Sequence, residues 1–341
     1  MASHRRPKQP SRARVTVLTT AAAAAVVLGG NSAQAAPAKP SKGEVKEKVD
    51  KLHEEAEQAT EKYNGAKEKQ KKLEKEIDSL QDNVARGQEE LNELRDAIGL
   101  AAAAQYRSGT IDSSMQLFLS ADPDDYLDKA STLDQLSNQQ VEALAEIQDK
   151  QRELAQQRQE ATTKMEDLSE TTEELGKRQK EVKAKLAEAQ KLLNTLTAAE
   201  RAEMAQEETK AAQESASLAG SGGAAASGRA SAAFAAAQTK IGTPYVYGAT
   251  GPGSFDCSGL TSWAYAQAGV GLPRTSQQQA SYGTRIGMSE LKVGDLVIFY
   301  SDLHHVGLYA GNGQVLHAPR TGTNVRYESI NNMPFQFGVR V

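Results

Sequence analysis

The chain has 341 residues, a formal net charge of −4, 25% charged side chains and only 5% aromatic ones. The charge is partitioned: residues 1–35 carry +5, residues 229–341 carry +3, and the stretch between them carries about −12. An acidic middle excludes nucleic acid as its partner, because phosphate contacts need a basic face. The single cysteine excludes an intramolecular disulfide and any zinc site built from several thiolates.

The amino terminus reads as an export signal. A basic run from Arg5 to Arg14 precedes the Ala-rich apolar stretch Val15 to Gly30, which falls short of the roughly 20 residues that span a bilayer. Ala33-Gln34-Ala35 fits the small-x-small cleavage rule. The pattern predicts a signal peptide over residues 1–35, a short segment 36–42, and a mature protein secreted outside the cytoplasm with no membrane span.

Residues 43–106 carry a seven-residue apolar repeat. One seam runs through Val45, Leu52, Ala59, Ala66, Leu73, Leu80, Gly87 and Leu94, the other through Val49, Ala56, Tyr63, Gln70, Ile77, Val84 and Leu91. A 3.5-residue period held this long predicts a left-handed coiled coil. Ser108-Gly109 and Ala121-Asp122-Pro123 interrupt it, so residues 107–125 are expected to form a hairpin tip with a small apolar knob. A second helix is expected from Asp124 to Ser215. Ile147, Leu154, Ala161, Leu168, Leu175, Val182, Ala189 and Leu196 keep one seam apolar, while Gln151, Arg158, Thr172 and Gln179 weaken its companion. The two helices predict an antiparallel coiled-coil hairpin over residues 43–215. Residues 216–228 contain only Ala, Ser, Gly and one Leu, a flexible linker.

Residues 229–341 hold 13 of the 17 aromatic side chains, so the packed core belongs there. Helices are expected over Arg229 to Ile241, from Cys257 to about Ala268, and after a cap at Thr275 or Ser276. Strands are expected at Leu296 to Tyr300, Val306 to Ala310, Gln314 to Ala318, Thr323 to Tyr327 and Phe337 to Val341, with a hairpin turn at Gly311-Asn312-Gly313. Helices first and strands afterwards predict an α+β domain, its helices packed on an antiparallel sheet.

Cys257 is the candidate nucleophile. It stands at a predicted helix N-terminus, where the dipole and free N–H groups lower a thiol pKa, and a free thiol in an oxidising compartment calls for a use. A thiolate needs a base, and the base needs an orienting partner. His305 opens one strand and His317 ends the next, so hairpin pairing places them side by side as base and orienter. Strand alternation turns His304 to the opposite face, where it reads as a surface histidine, and this separation argues against a three-histidine metal site.

Gly242-Thr-Pro-Tyr-Val-Tyr-Gly248, Phe255-Asp-Cys-Ser-Gly-Leu260, Leu272-Pro-Arg-Thr-Ser276, Gly294-Asp-Leu296 and His305-Val-Gly-Leu-Tyr-Ala-Gly311 together resemble the NlpC/P60 family of cell-wall peptidases. The resemblance implies a papain-like α+β fold and cysteine-peptidase chemistry on peptidoglycan stem peptides, typically at the bond between the γ-carboxyl of D-glutamate and the diamino acid, without a cofactor or metal. It implies Cys257 as nucleophile, His305 as base and His317 as the third polar residue. Tyr245 would stand beside the nucleophile and help a backbone N–H hold the oxyanion. Asp256, Ser258, Arg274 and Ser276 fall in motifs that line the substrate site, although Asp256 and Ser276 also suit helix capping. Tyr247 replaces a tryptophan common in the family. The rod and linker resemble the coiled-coil half of secreted cell-division hydrolases, which implies a division-machinery or wall-associated activator as partner. An acidic rod tethered to a mildly basic domain predicts autoinhibition. A non-catalytic wall-anchored scaffold, and an amidase or acyltransferase on the same fold, are the alternatives.

Overall fold

The computed structural model describes residues 40–107, 115, 123–219 and 227–341. The expected signal peptide, most of the expected apolar knob and most of the expected linker therefore lie outside the described residues. Ser41–Val341 form one unit.

Helix α1 spans Lys42–Arg107. It opens on a reciprocal cap, in which the Glu44 N–H donates to Ser41 Oγ and the Ser41 N–H donates to the Glu44 carboxylate. Helix α2 spans Pro123–Leu193 and starts with proline at its first position, where the missing N–H costs nothing. Three ion pairs define how the two helices run. Glu55 meets Lys185, Glu76 meets Lys164 and Glu90 meets Lys150 at 2.5, 2.6 and 2.7 Å. The first partners advance by 21 and 14 residues while the second retreat by the same amounts, so α1 and α2 are antiparallel and hold register in multiples of seven. Such half-exposed pairs are worth little individually. The register is set by the seams, where Val45, Val49, Leu52, Leu73, Ile77 and Leu91 are buried on α1 and Ile147, Leu154, Ala161, Val182 and Ala189 on α2. Gly87, the one seam glycine, allows a close approach: a Cβ there would stand 2.8 Å from Leu154 Cδ2.

The single second helix expected over 124–215 is broken. After Leu193 the chain turns, and a third helix, α3, spans Ala198–Leu218. Thr197 caps it in a capping box with Glu200, a Thr-x-x-Glu signal present in the sequence but overridden there by the continuing apolar period. Leu196 drops into the cluster formed by Val45, Val49, Leu52, Ala189 and Met204, which closes the base of the rod.

The C-terminal part has helices α4 (Gly228–Gln238), α5 (Cys257–Gln267) and α6 (Ser276–Gln279). Its sheet contains β1 (Thr284–Ile286), β2 (Leu296–Phe299), β3 (His305–Gly311), β4 (Gln314–His317), β5 (Arg326–Ser329) and β6 (Phe335–Arg340), in the order β1-β6-β2-β3-β4-β5. All neighbours pair antiparallel, so the α+β class holds. Strand β1 is short and mostly exposed and gave no alternating signal. Strand β5 starts at Arg326 rather than Thr323, because Thr323 closes a turn onto Arg320 and Asn324 bridges Pro244. Leu296 and Ile298 of β2 face a large cluster with Phe234, Phe255, Leu260 and Tyr265 from the helices. Val297 and Phe299 face a second cluster with Val315 and Ile330, so β2 is buried on both faces. No described helix is long and apolar enough to cross a membrane.

Candidate active site

Asp256 is the cap of α5, and its fully buried carboxylate organises the helix start. Oδ1 accepts from the Gly259 N–H at 2.7 Å, and Oδ2 accepts from the Gly248 N–H at 2.9 Å. Arg274 closes on it as a fork, at 3.1 and 2.6 Å, and also donates to Ser258 Oγ at 2.8 Å. These bonds fix Cys257 as the first helical residue.

Cys257 lies near the first residue of β3. One atom each from Cys257, His305 and Glu57 lies within 4.8 Å of the others. From His305 a relay runs along one face of the sheet. His305 Nε2 and His317 Nδ1 are 2.7 Å apart, and His317 Nε2 is 3.2 Å from Glu328 Oε2. Gly307 makes the convergence possible, since a Cβ there would stand 2.4 Å from Val315 Cγ2 and 3.0 Å from His317 Cβ. Arg326 donates to the same Glu328 Oε2 through Nε and Nη2 at 3.3 and 3.0 Å. Burial opposes the charge on Glu328, but His317 and Arg326 outweigh it and hold the carboxyl far below its usual range. An ionised Glu328 accepts the proton of His317 Nε2. His317 Nδ1 then accepts from His305 Nε2–H, and the remaining nitrogen, His305 Nδ1, is left for the thiol side of the site. Glu328 is a site residue that sequence reasoning missed; the signal available was its alternation with Arg326 beside the strand carrying His317.

A second missed group comes from the rod. His53, Glu57, Thr60, Glu61 and Asn64 form a buried polar stripe on α1 between its apolar seams. Glu61 accepts from Ser258 Oγ at 2.7 Å and from the N–H and Oγ of Ser276 at 2.7 and 3.0 Å. Cys257 Sγ is 3.8 Å from Glu61 Oε1 and 3.7 Å from the His304 carbonyl oxygen. Asn64 donates to Asp256 Oδ2 at 3.0 Å. Glu57 meets His305 Nδ1 directly. The ring of Tyr63 meets that of Tyr247 edge-on at 6.1 Å. Beside them, α3 adds Glu208, which pairs with Arg320 and reaches Arg326 at 3.5 Å. A cleft of ≈ 950 Å³ runs between the rod base and the sheet and reaches His305, His317 and Glu328.

The stripe changes the electrostatics expected of the thiol. A helix N-terminus favours thiolate, but Cys257 is fully buried, and burial together with the Glu61 and Glu57 charges pushes its pKa well above the ordinary value. The expected depression is therefore corrected for this arrangement. Burial opposes charge on His305 as well, yet the nearby Glu57 outweighs it and raises the pKa. His317 is lowered, chiefly by burial, and stays neutral. Glu61 is raised to about 7 by burial and by the neighbouring Asp256 charge.

The structure brings together Cys257, His305 and His317, with Ser258, Asp256, Arg274 and Ser276 around them. Tyr245 is buried in the same cluster as Cys257, and burial, then the charges of Glu57 and Cys257, raise its pKa. His304 is not the surface residue expected. It is 1% exposed, stacked on Tyr300 at 4.2 Å with Nδ1 2.5 Å from Asp302. The left-handed turn at Tyr300 and Leu303 tucks it inward before regular strand alternation begins.

Comparison with known proteins gives a consistent picture. The NlpC/P60 family profile matches residues 242–339. A probable endopeptidase of Corynebacterium glutamicum is 56% identical over 105 residues, covering 31% of this chain and 50% of that protein. A probable endopeptidase p60 of Listeria monocytogenes is 48% identical over 99 residues, covering 28% and 20%. The crystal structure of the NlpC/p60 domain of the peptidoglycan hydrolase SagA is 38% identical, with a TM-score of 0.32, covering 33% of this chain and 98% of that one. The chain thus spans half or less of the length of these curated relatives.

Proposed function

Because residues 242–339 of this chain belong to the NlpC/P60 family, we propose that the protein is a secreted cysteine endopeptidase that cleaves peptidoglycan stem peptides and is held inactive by its own rod. The observation that carries the catalytic reading is the relay that starts at His305 beside Cys257 and runs through His317 to Glu328. Cys257 attacks the amide carbonyl after His305 takes its proton. His305 then protonates the leaving amine, and water, activated by the same imidazole, releases the acyl group from sulfur. Backbone N–H groups at the start of α5, with Tyr245, serve the oxyanion.

The contacts of Glu61 support a γ-linked glutamyl substrate. A carboxylate is held beside Cys257 by Ser258 and Ser276, with Arg274 bonded to Ser258 behind them. A glutamate joined through its γ-carboxyl keeps a free α-carboxylate near the scissile bond, so Glu61 stands where that group would bind. The same contacts support autoinhibition: Glu61 fills the carboxylate subsite, Glu57 occupies Nδ1 of the base, and the thiol is covered. Release belongs to a wall-associated or cell-division partner acting on the rod.

The test is digestion of purified muropeptides by the mature chain, by Glu61→Ala and by Cys257→Ala, with fragments identified by mass. Glu61→Ala should cleave faster than the parent and yield a free diamino-acid amine; Cys257→Ala should be inert. Equal product from parent and Cys257→Ala would remove the catalytic reading. Products cut at the lactyl amide would instead identify an amidase.

A further inference from the structure

The junction between α1 and the catalytic residues has the composition of a metal site. Among the described residues, one cluster gathers three metal-ligating side chains: Glu57, Cys257 and His305, with one donor atom of each within 4.8 Å of the others. All three residues are buried. Sulfur, imidazole nitrogen and one carboxylate oxygen form a donor set suited to zinc, whose bonds to such ligands run about 2.0–2.3 Å. Calcium and magnesium take oxygen shells and do not favour the sulfur. Supporting bonds are already in place. A metal-bound histidine ordinarily donates its other ring N–H to a fixed acceptor, and His305 meets His317 at 2.7 Å, which is itself held by Glu328 at 3.2 Å. Glu61, with Oε1 3.8 Å from the sulfur, borders the fourth position.

We propose that this trio binds a zinc ion which bridges the rod and the catalytic domain and locks the inhibited state. The proposal rests on the autoinhibited reading above. The ligands come from both halves of the chain: Cys257 and His305 alone offer two donors, and the third arrives only when α1 is docked. Zinc therefore stabilises the docked state by the difference in its affinity for the three-donor and two-donor sites. Binding replaces protons and changes no oxidation state. The thiol proton leaves to solvent as sulfur bonds to zinc, the Nδ1 proton of His305 leaves as that nitrogen coordinates, and Glu57 exchanges its contact with His305 for the metal. Removal of zinc would be one step in release, separate from any pull on the rod.

The experiment titrates the reduced, mature chain anaerobically with Co²⁺ alone, reading the near-ultraviolet sulfur-to-cobalt charge-transfer band, and then displaces the cobalt with Zn²⁺. One equivalent should bind, Cys257→Ser should abolish the band, and Glu57→Gln should weaken binding by at least about ten-fold. Glu54→Gln, one turn away, should bind as the parent does, and circular dichroism of each variant checks that the helices remain. Absence of the band in the folded parent, or equal affinity in folded Glu57→Gln, overturns the bridge. The autoinhibited reading is tested apart from it, in metal-free buffer with a chelator. If Glu61→Ala outpaces the parent there while Glu57→Gln still binds cobalt normally, only the metal bridge fails. If Glu61→Ala and the parent turn over equally in chelator, the autoinhibited reading fails and takes the bridge with it.

Discussion

Glu328 reaches the thiol only through two imidazoles, so its effect should appear in rate and pH dependence rather than in substrate affinity. In a Glu61→Ala background, Glu328→Gln should lower kcat by about ten-fold with KM nearly unchanged, the low end of what a misoriented base costs. Glu328 also raises the His305 pKa by its charge, so removing that charge should move the acidic limb of the rate profile to lower pH. Steady-state kinetics across pH checks both outcomes. Glu61 gives a second residue-scale prediction. It faces Asp256, Arg274, Ser258 and Ser276, with Cys257 beside it, and when docked its pKa is about 7 against an ordinary 4.5. A group whose pKa is raised by docking favours the docked state below the undocked value, and that contribution is lost as pH rises through the docked value. His305, raised by Glu57, shifts docking in the same direction. Alkylation of Cys257 in metal-free buffer, corrected for thiolate fraction, should therefore accelerate between about pH 5 and 7.5. In Glu61→Gln that acceleration should be blunted, leaving the His305 part.

At the scale of elements, the stripe on α1 and helix α3 line one cleft with His305, His317 and Arg326. Glu208 of α3 pairs with Arg320 and Arg326, all three partly exposed, so Glu208→Ala should raise basal turnover by less than about five-fold, the worth of a surface pair. Gly87 tests the rod itself. A valine there would drive Cβ to within 2.8 Å of Leu154 and destabilise the hairpin by about 1–3 kcal/mol, read as a lower thermal midpoint. The seams that pack α1 on α2 were legible because a seven-residue period survives single exceptions such as Gly87. The stripe was not, because Glu57, Glu61 and Asn64 look like ordinary solvated residues until a second surface covers them. The helix break was hidden similarly: Thr197 and Glu200 signalled it, but Leu196 kept the apolar count intact by turning into the base cluster.

For the whole molecule, charge partition pointed toward an interaction between rod and domain, while its chemistry proved local. Two carboxylates near the sulfur and one amide on Asp256 form its centre, with Asp50 and Glu208 pairing Arg320 and Arg326 beside it. The site was legible in its short-range parts. Asp256 caps the helix that starts with Cys257, and the hairpin brings His305 to His317, both set by residues close in sequence. Glu57 lies 248 positions from His305, and no local pattern records such a separation.

The buried thiol has a consequence for the chemical lifetime of the protein. Oxidation by peroxide proceeds through exposed thiolate, and docked Cys257 is buried, with burial and the Glu61 and Glu57 charges opposing its ionisation when no metal is bound. With no second cysteine to form a rescuing disulfide, a sulfenic acid formed here would progress to irreversible products. If the proposed secretion and docking hold, a docked molecule would be protected in an oxidising compartment, whereas an opened one would begin to age. Peroxide should inactivate Glu61→Ala several times faster than it consumes the thiol of the parent, measured as loss of titratable Cys257. Opening would then set both the start of cutting and the time left to cut.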